Sequence, residues 1–296
     1  MLIPEIIGVT LAVFLLMHLA PGDPVALIVG DHAPPEVYEQ VRAEFGLDKP
    51  LVVQYWVFLK HLCRLDLGRS ILMNRPVTEV VAGALPVTLQ LTLTGLVVSY
   101  LIGVPVGIVS GVKRGSLFDQ ASMFGAIAFA CMPSFWLGSL LMLSLGVRFA
   151  FFPVSGYGSI RHMILPSVSL GLGGAALTAR MMRSSILDVI RMDYVQTARA
   201  KGLPESAVVY KHALRNALIP MVTLLGLRLG WLVGGAVSLE TVFSVPGMGR
   251  FLVNSILNRD YPMVQGIMLV LALCVVIGNF LADLLYSLVD PRVELK

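Results

Sequence analysis

The charged side chains of this sequence are few, and one stretch is rich in them. Arg183, Arg191, Arg199, Lys201, Lys211 and Arg215 stand between residues 183 and 217, in a sequence that is only 14% charged. The centre of that stretch reads Asp193-Tyr-Val-Gln-Thr-Ala-Arg-Ala-Lys-Gly-Leu-Pro-Glu-Ser206, and it continues as Tyr210-Lys-His-Ala-Leu-Arg-Asn-Ala-Leu-Ile-Pro220. Gly202 suits a helix stop and Pro204 the first turn of a new helix. The pattern therefore predicts a short helix pair with a small cationic tip, Ala200-Lys201-Gly202. Such a tip can seat in a groove of another protein, or it can be a solvated basic loop that sets topology. The residues alone leave both readings open.

Covalent chemistry has no comparable support. The sequence holds no Gly-x-Ser-x-Gly or His-Glu-x-x-His constellation and no Gly-x-x-x-x-Gly-Lys-Ser/Thr phosphate loop. Cys63, Cys131 and Cys274 are far apart and give neither metal-ligand spacing nor a disulfide framework. The expectation is a chain that is not an enzyme and binds no cofactor or metal. Nucleic acid is not expected either: net charge is +4, but no basic stripe with interleaved aromatics appears.

Three further polar residues interrupt apolar runs. Arg228 lies at Leu227-Arg228-Leu229, and Asn279 and Asp283 stand one helical turn apart. A cation at mid-membrane costs about 2.5–3.5 kcal/mol, so Arg228 should face the bundle interior or water. It could line a pathway and attract a carboxylate, or pair with Glu240 or Asp283; Asn279 and Asp283 are equally open as pathway residues. Arg180 and Arg183 read as snorkelling anchors.

The elements that must hold these residues are set by hydropathy. Of 296 residues, 56% are hydrophobic, mean hydropathy is +0.82, and a hydrocarbon core needs roughly 20 apolar helical residues to cross. About six spans are expected in an all-α membrane protein. They run from about Ile6 to Ala20, Val87 to Val112, the link at Gly115 to Asp119 on to Val147, Met163 to Met182, Leu218 to Val242, and Val264 to Val289. The first run lacks the basic lead of a cleavable signal peptide and reads as a span. The whole of 1–296 is expected to be one transmembrane domain, with residues 21–86 as an extracytoplasmic segment and 183–217 as a cytoplasmic loop. Basic residues in the 113–114 link and in 183–217 put both termini inside. Gly103, Gly107 and Gly111 in the second span and Gly226, Gly230 and Gly234 in the fifth, with Gly171, Ala175 and Ala179 in the fourth, predict close helix packing. Pro105, Pro133 and Pro166 predict kinks.

The 193–206 stretch resembles the coupling loop of binding-protein-dependent ABC importer permeases, a Glu-Ala-Ala motif followed by three residues and Gly. The matching positions are Gln196, Thr197, Ala198 and Gly202, two of them departing from the general motif. Thr-Ala-Arg-Ala-Lys-Gly-Leu is the form expected in the dipeptide, oligopeptide and nickel branch. The likeness continues through His18-Leu-Ala-Pro-Gly-Asp-Pro24, Phe45-Gly-Leu-Asp-Lys-Pro-Leu51, Asp66-Leu-Gly-Arg-Ser70, Leu85-Pro-Val-Thr-Leu89, Glu240-Thr-Val-Phe-Ser-Val-Pro-Gly-Met-Gly-Arg250, Asn258-Arg-Asp-Tyr-Pro262 and Tyr286 to Arg292. Together these resemble the B-type permease subunit of that branch, apart from its usual basic N-terminal lead.

The resemblance implies a type I ABC importer permease fold in a bacterial inner membrane. It implies a second, homologous permease subunit, two cytoplasmic ATPase subunits that use ATP and Mg, and an external solute-binding protein. Gln196, Thr197, Ala198, Ala200, Lys201, Gly202, Leu203 and Ser206 would form the ATPase-coupling segment. The implied cargo is a di- or oligopeptide, with nickel chelates or glutathione as alternatives. An ion-coupled secondary transporter is the rival class, but inverted repeats and intramembrane acidic relays are not evident.

Overall fold

A computed structural model describes residues 2–19, 34–44 and 48–289. Helices dominate, and the pairing outside helices among the described residues is an isolated antiparallel bridge between Arg69 and Pro76. In chain order the helices are α1 (Leu2–Leu19), α2 (Pro35–Glu44), α3 (Leu51–Cys63), α4 (Val77–Val112), α5 (Leu117–Cys131), α6 (Ser134–Leu141), α7 (Ile160–Val189), α8 (Asp193–Ala200), α9 (Glu205–Ala207), α10 (Leu214–Ala217), α11 (Ile219–Val242), α12 (Met248–Leu257) and α13 (Tyr261–Val289). Among the described residues, α4, α7 and α13 are each long and apolar enough to cross a membrane.

The third expected span is two helices. α5 ends at Cys131, α6 begins at Ser134, and the two are bent by 106°. Met132, before Pro133, has extended backbone at the break, because proline disfavours helix in the residue before it. α6 then widens into a π-helical turn, Met142–Arg148. α1 and α11 occupy the places of the expected first and fifth spans. Two boundaries move. α4 starts at Val77, so the end of the expected 21–86 segment belongs to the second-span helix. α7 runs to Val189, well into the expected 183–217 loop.

The chain forms two compact units. In the unit of Met1–Val87 with Gly247–Val276, Phe14 of α1 stacks edge-on against Tyr55 of α3 at 5.4 Å, and Thr10 hydrogen-bonds the same Tyr55 hydroxyl at 2.9 Å. A second core joins Val77, Val80, Val81 and Ala84 to Met248, Met263 and Ile267.

The unit of Thr88–Pro246 with Ile277–Lys296 is built around α7, whose most apolar window is 67% buried against 22% for α13. α7 lies close against α4 because both present small residues. A Cβ placed on Gly107 would fall 2.6 Å from the Ala179 carbonyl oxygen and 2.6 Å from the Met182 Cβ. The first of these is backbone and cannot swing aside, which is the physical content of the glycine stripe. Gly103 meets Ala175 and Thr178 in the same way. Gly107→Ala is expected to lower the thermal midpoint of the purified protein, at an overpacking cost of about 1–3 kcal/mol. Gly173→Ala is the control. Its Cβ meets nothing within 4 Å, and removing a mid-helix glycine should leave the midpoint level or raise it.

Candidate functional site: the hairpin between α7 and α11

After α7 the chain turns at Ile190 and enters α8, which is amphipathic. Val195 and Ala198 face inward, while Asp193, Gln196, Thr197 and Ala200 face solvent. α8 is capped at Lys201, and Gly202 follows at φ +75°. A positive φ is nearly free for glycine and costly for residues with a Cβ. Leu203 and Pro204 extend the chain, and it re-enters helix at Glu205. The return arm passes through a second π-helical segment, Val208–Ala213, then α10, and leads into α11.

The hairpin is closed at its tip and anchored at its base. Arg199 donates two hydrogen bonds to Glu205 across Gly202, Nε at 3.1 Å and Nη2 at 2.5 Å. Arg199 and Gln196 also donate to the Ile190 carbonyl at the end of α7, at 3.5 and 3.3 Å. Asn216 on the return arm donates to the Tyr194 hydroxyl at 2.7 Å. Beneath these bonds, Val195, Ala198, Val208, Val209 and Ala213 share one core with Met182, Ile186 and Val189 of α7 and Ile108 of α4. Ser185 ties α7 to the return arm through the Ala217 carbonyl at 2.9 Å. The hairpin is thus a continuation of the helix bundle, with an open outer face.

Hydrogen bonding from Arg199 holds the Glu205 carboxyl below the usual carboxylate range. A depressed folded-state value means this contribution is present above the unfolded value of about 4.3 and is lost as pH falls through the lower folded value. Both side chains are partly exposed, which limits the contribution to about 1 kcal/mol or less. Amide-exchange protection of the hairpin should therefore hold steady from pH 8 down to about pH 5 and decline only in stronger acid. Glu205→Gln should show the smaller protection already at neutral pH.

Of the residues read as a coupling segment, Gln196, Thr197, Ala200, Lys201, Gly202, Leu203 and Ser206 are exposed around this tip. Ala198 is the exception, 5% exposed in the hairpin core. Its small size serves packing against α7 and leaves it no surface for a partner. Beside the tip, a cavity of about 170 Å³ runs between Ile108, Val109, Val112 and Lys113 of the α4 end and Glu205, Ser206, Val209 and Tyr210. A larger one of about 590 Å³ is lined by Lys211, His212, Arg215, Asn216 and Ile219, where the polar return arm becomes an apolar helix.

Asn279 is exposed on α13, and the side chains of Arg228 and Asp283 lie outside the described residues. Arg183 is not the snorkelling anchor its position suggested. Its guanidinium turns onto Asp119 with two bonds, Nε to Oδ1 at 2.6 Å and Nη2 to Oδ2 at 2.8 Å. Sequence reasoning also missed the partnership of Asp260 with Ser70, at 2.5 Å, although both lie in stretches it had singled out.

A bundle of apolar helices held by close small-residue packing and continued by a clasped polar hairpin defines a polytopic helical membrane protein. Comparison with known proteins gives the family. Residues 103–295 match the binding-protein-dependent transport system inner membrane component family, and residues 2–92 match its N-terminal module. The chain belongs to this family. It is 43% identical over 295 residues to the glutathione transport system permease protein GsiC of Salmonella choleraesuis, covering 100% of this chain and 96% of that one. A Brucella suis protein whose name assigns it provisionally to a peptide transport system, as permease, is 44% identical over 300 residues, covering 99% of this chain and 96% of its own. Among solved structures, an inward-facing MetNI methionine ABC transporter aligns with TM-score 0.60 at 22% identity, over 71% of this chain and 96% of that chain. That likeness establishes the type I importer permease fold. The chain is a multi-pass inner-membrane permease subunit of an ABC importer.

Proposed function

We propose that this subunit imports short peptides, pairing with a homologous permease subunit to enclose the pathway. The hairpin between α7 and α11 faces the cytoplasm and docks through its exposed tip on one of two ATPase subunits, which bind the ATP and Mg that this chain does not. Both termini lie on that same side. The segment between α1 and α4 lies outside the membrane, toward a solute-binding protein that delivers cargo. The observation that carries this reading is the hairpin itself. Its exposed tip, Lys201 to Ser206, is available to a partner, while its inner face shares a core with α7, so a push on the tip is a push on a membrane helix. Such a joint is a two-state element that binding of a partner can bias.

Peptides are the preferred cargo class, and glutathione, itself a small peptide, is the second reading, supported by the 43% identity to a protein named for it. Arg228 is a candidate for meeting a cargo carboxylate, with Asn279 and Asp283 as further pathway residues. The test is uptake into vesicles containing this subunit with its neighbouring permease, ATPase and binding-protein partners. Labelled dialanine and labelled glutathione should be compared, with and without ATP. ATP-dependent accumulation of dialanine supports the first reading and of glutathione alone the second. Accumulation by this chain alone, driven by an ion gradient, would overturn both.

A further inference from the structure

We propose that the Asp119–Arg183 pair is the joint through which the hairpin moves α5, making Asp119 and Arg183 positioning residues for transport; this rests on the hairpin being the docking segment. Four observations converge on it. Asp119 is 3% exposed and Arg183 27%, so the pair is largely removed from water, where a fork-to-carboxylate contact is both strong and directional. The carboxylate is also held from its own side. The Gly115 amide donates to Oδ2 at 2.9 Å, and Ser116 caps the helix by accepting from the Asp119 amide at 3.2 Å. The pair therefore grips the whole 115–119 turn and not a loose side chain.

The position of Arg183 is the second point. It lies on α7 one turn before Ile186 and nearly two before Val189, residues that share a core with α8 and the return arm. Its backbone amide nitrogen is also 3.1 Å from where a Cβ on Gly107 would sit, at the tight crossing with α4. Displacement of the hairpin reaches this point through packed atoms. The third point concerns what else holds α5. Its buried residues are Asp119 and Ala126 alone, while Leu117, Phe124 and Ile127 are 85%, 76% and 53% exposed. α5 nevertheless lies closely along α7, and the ion pair is the bidentate, directional contact at the N-terminal end of that seam. Fourth, α5 leads into the 106° break before α6, so its N-terminus is the end from which this bent span can be driven.

The test uses the whole transporter in nanodiscs, with ATPase activity measured with and without cargo-loaded binding protein, and uptake measured in vesicles. Asp119→Asn keeps the size and the cap but removes the charge, and Arg183→Lys keeps the charge but loses the fork. Both complexes should assemble and hydrolyse ATP. Stimulation by the loaded binding protein should collapse in Asp119→Asn, with uptake down by about tenfold, and Arg183→Lys should fall between it and the parent. Nitroxides on Leu117 and Gln196 add a readout that stability alone does not move. Their separation should be unchanged on ATP–vanadate trapping in the parent protein and should shift in Asp119→Asn. Parental stimulation and uptake in Asp119→Asn would overturn the proposal. So would an Asp119→Asn complex that falls apart while Arg183→Lys couples normally, since the pair would then only stabilise. If ATPase subunits fail to co-purify even with the unsubstituted chain, the docking reading has failed instead.

Discussion

Gly202→Val is expected to abolish transport and release the ATPase subunits, while Gly202→Asn retains most of the assembly. The reason is backbone conformation, because space inside this chain is not limiting. Gly202 sits at φ +75°, and a Cβ there meets no atom within 4 Å. Valine is strongly disfavoured in the left-handed region, at a cost on the order of 2 kcal/mol. Asparagine visits that region readily. The hairpin has no compensating reserve at its tip, since the Arg199–Glu205 clasp that spans Gly202 is exposed and worth about 1 kcal/mol or less. Valine should therefore open the tip, and co-purification of ATPase subunits reads the result directly. The pair of variants also separates two reasons for a glycine. If Gly202→Asn leaves amide exchange of the hairpin unchanged yet still loses the ATPase subunits, the bare Cα face is itself pressed against the partner. Parental uptake in Gly202→Val would remove the hairpin from the coupling role.

Which features could be read from sequence follows from how local their causes are. The break at Gly202 and the restart at Glu205 are legible because a glycine and a proline two residues later act on their own backbone. The close approach of α4 and α7 is legible because glycines four apart mark one helix face, and Ala175 and Ala179 answer them. The bend at Pro133 is foreshadowed by its proline, but its size is not, since the packing of α5 and α6 on α7 sets the angle. The π-helical segments at Met142–Arg148 and Val208–Ala213 have no compositional mark. Ala198 was grouped with the docking residues by its place in a motif, and only the register of α8 shows that it packs inward. Arg183 near a span end has the pattern of a snorkelling anchor, and its true partner is 64 positions away. Sequence periodicity carries no information about such pairings.

The clasp between Asp260 and Ser70, 190 positions apart, is of the same kind, and its removal should be the costliest single change in its unit. Asp260 is 2% exposed. It accepts from the Ser70 hydroxyl at 2.5 Å, from the Ile71 and Leu72 amides at 3.1 and 3.2 Å, and from the Met263 amide in the first turn of α13 at 3.4 Å. One carboxylate thus fixes a tight loop, in which Asn74 has φ +49°, to the start of a helix. Asp260→Ala leaves these donors without their acceptor, and an orphaned buried donor costs about 1–3 kcal/mol. A total loss of about 3–5 kcal/mol is expected, large against the 5–15 kcal/mol that holds a typical folded protein. Asp260→Asn should lose roughly half as much. Its remaining oxygen can serve one pair of donors, while its amide group faces the other pair, where only the Ser70 hydroxyl can turn round to accept. Ser70→Ala should cost about 1–3 kcal/mol, since its hydroxyl donates to Asp260 and also accepts from the Met73 amide at 2.9 Å. Thermal melting should place Asp260→Ala lowest, with Asp260→Asn and Ser70→Ala above it. Proteolysis supplies the location, since Leu65, Leu72 and Met73 are 77%, 60% and 42% exposed and become cleavable once the loop is released. All of the Asp260 bonds lie within the unit of Met1–Val87 and Gly247–Val276. Amide protection in Asp193–Ala200 should therefore stay at the parental level, and equal losses in both places would show that the unit does not open on its own.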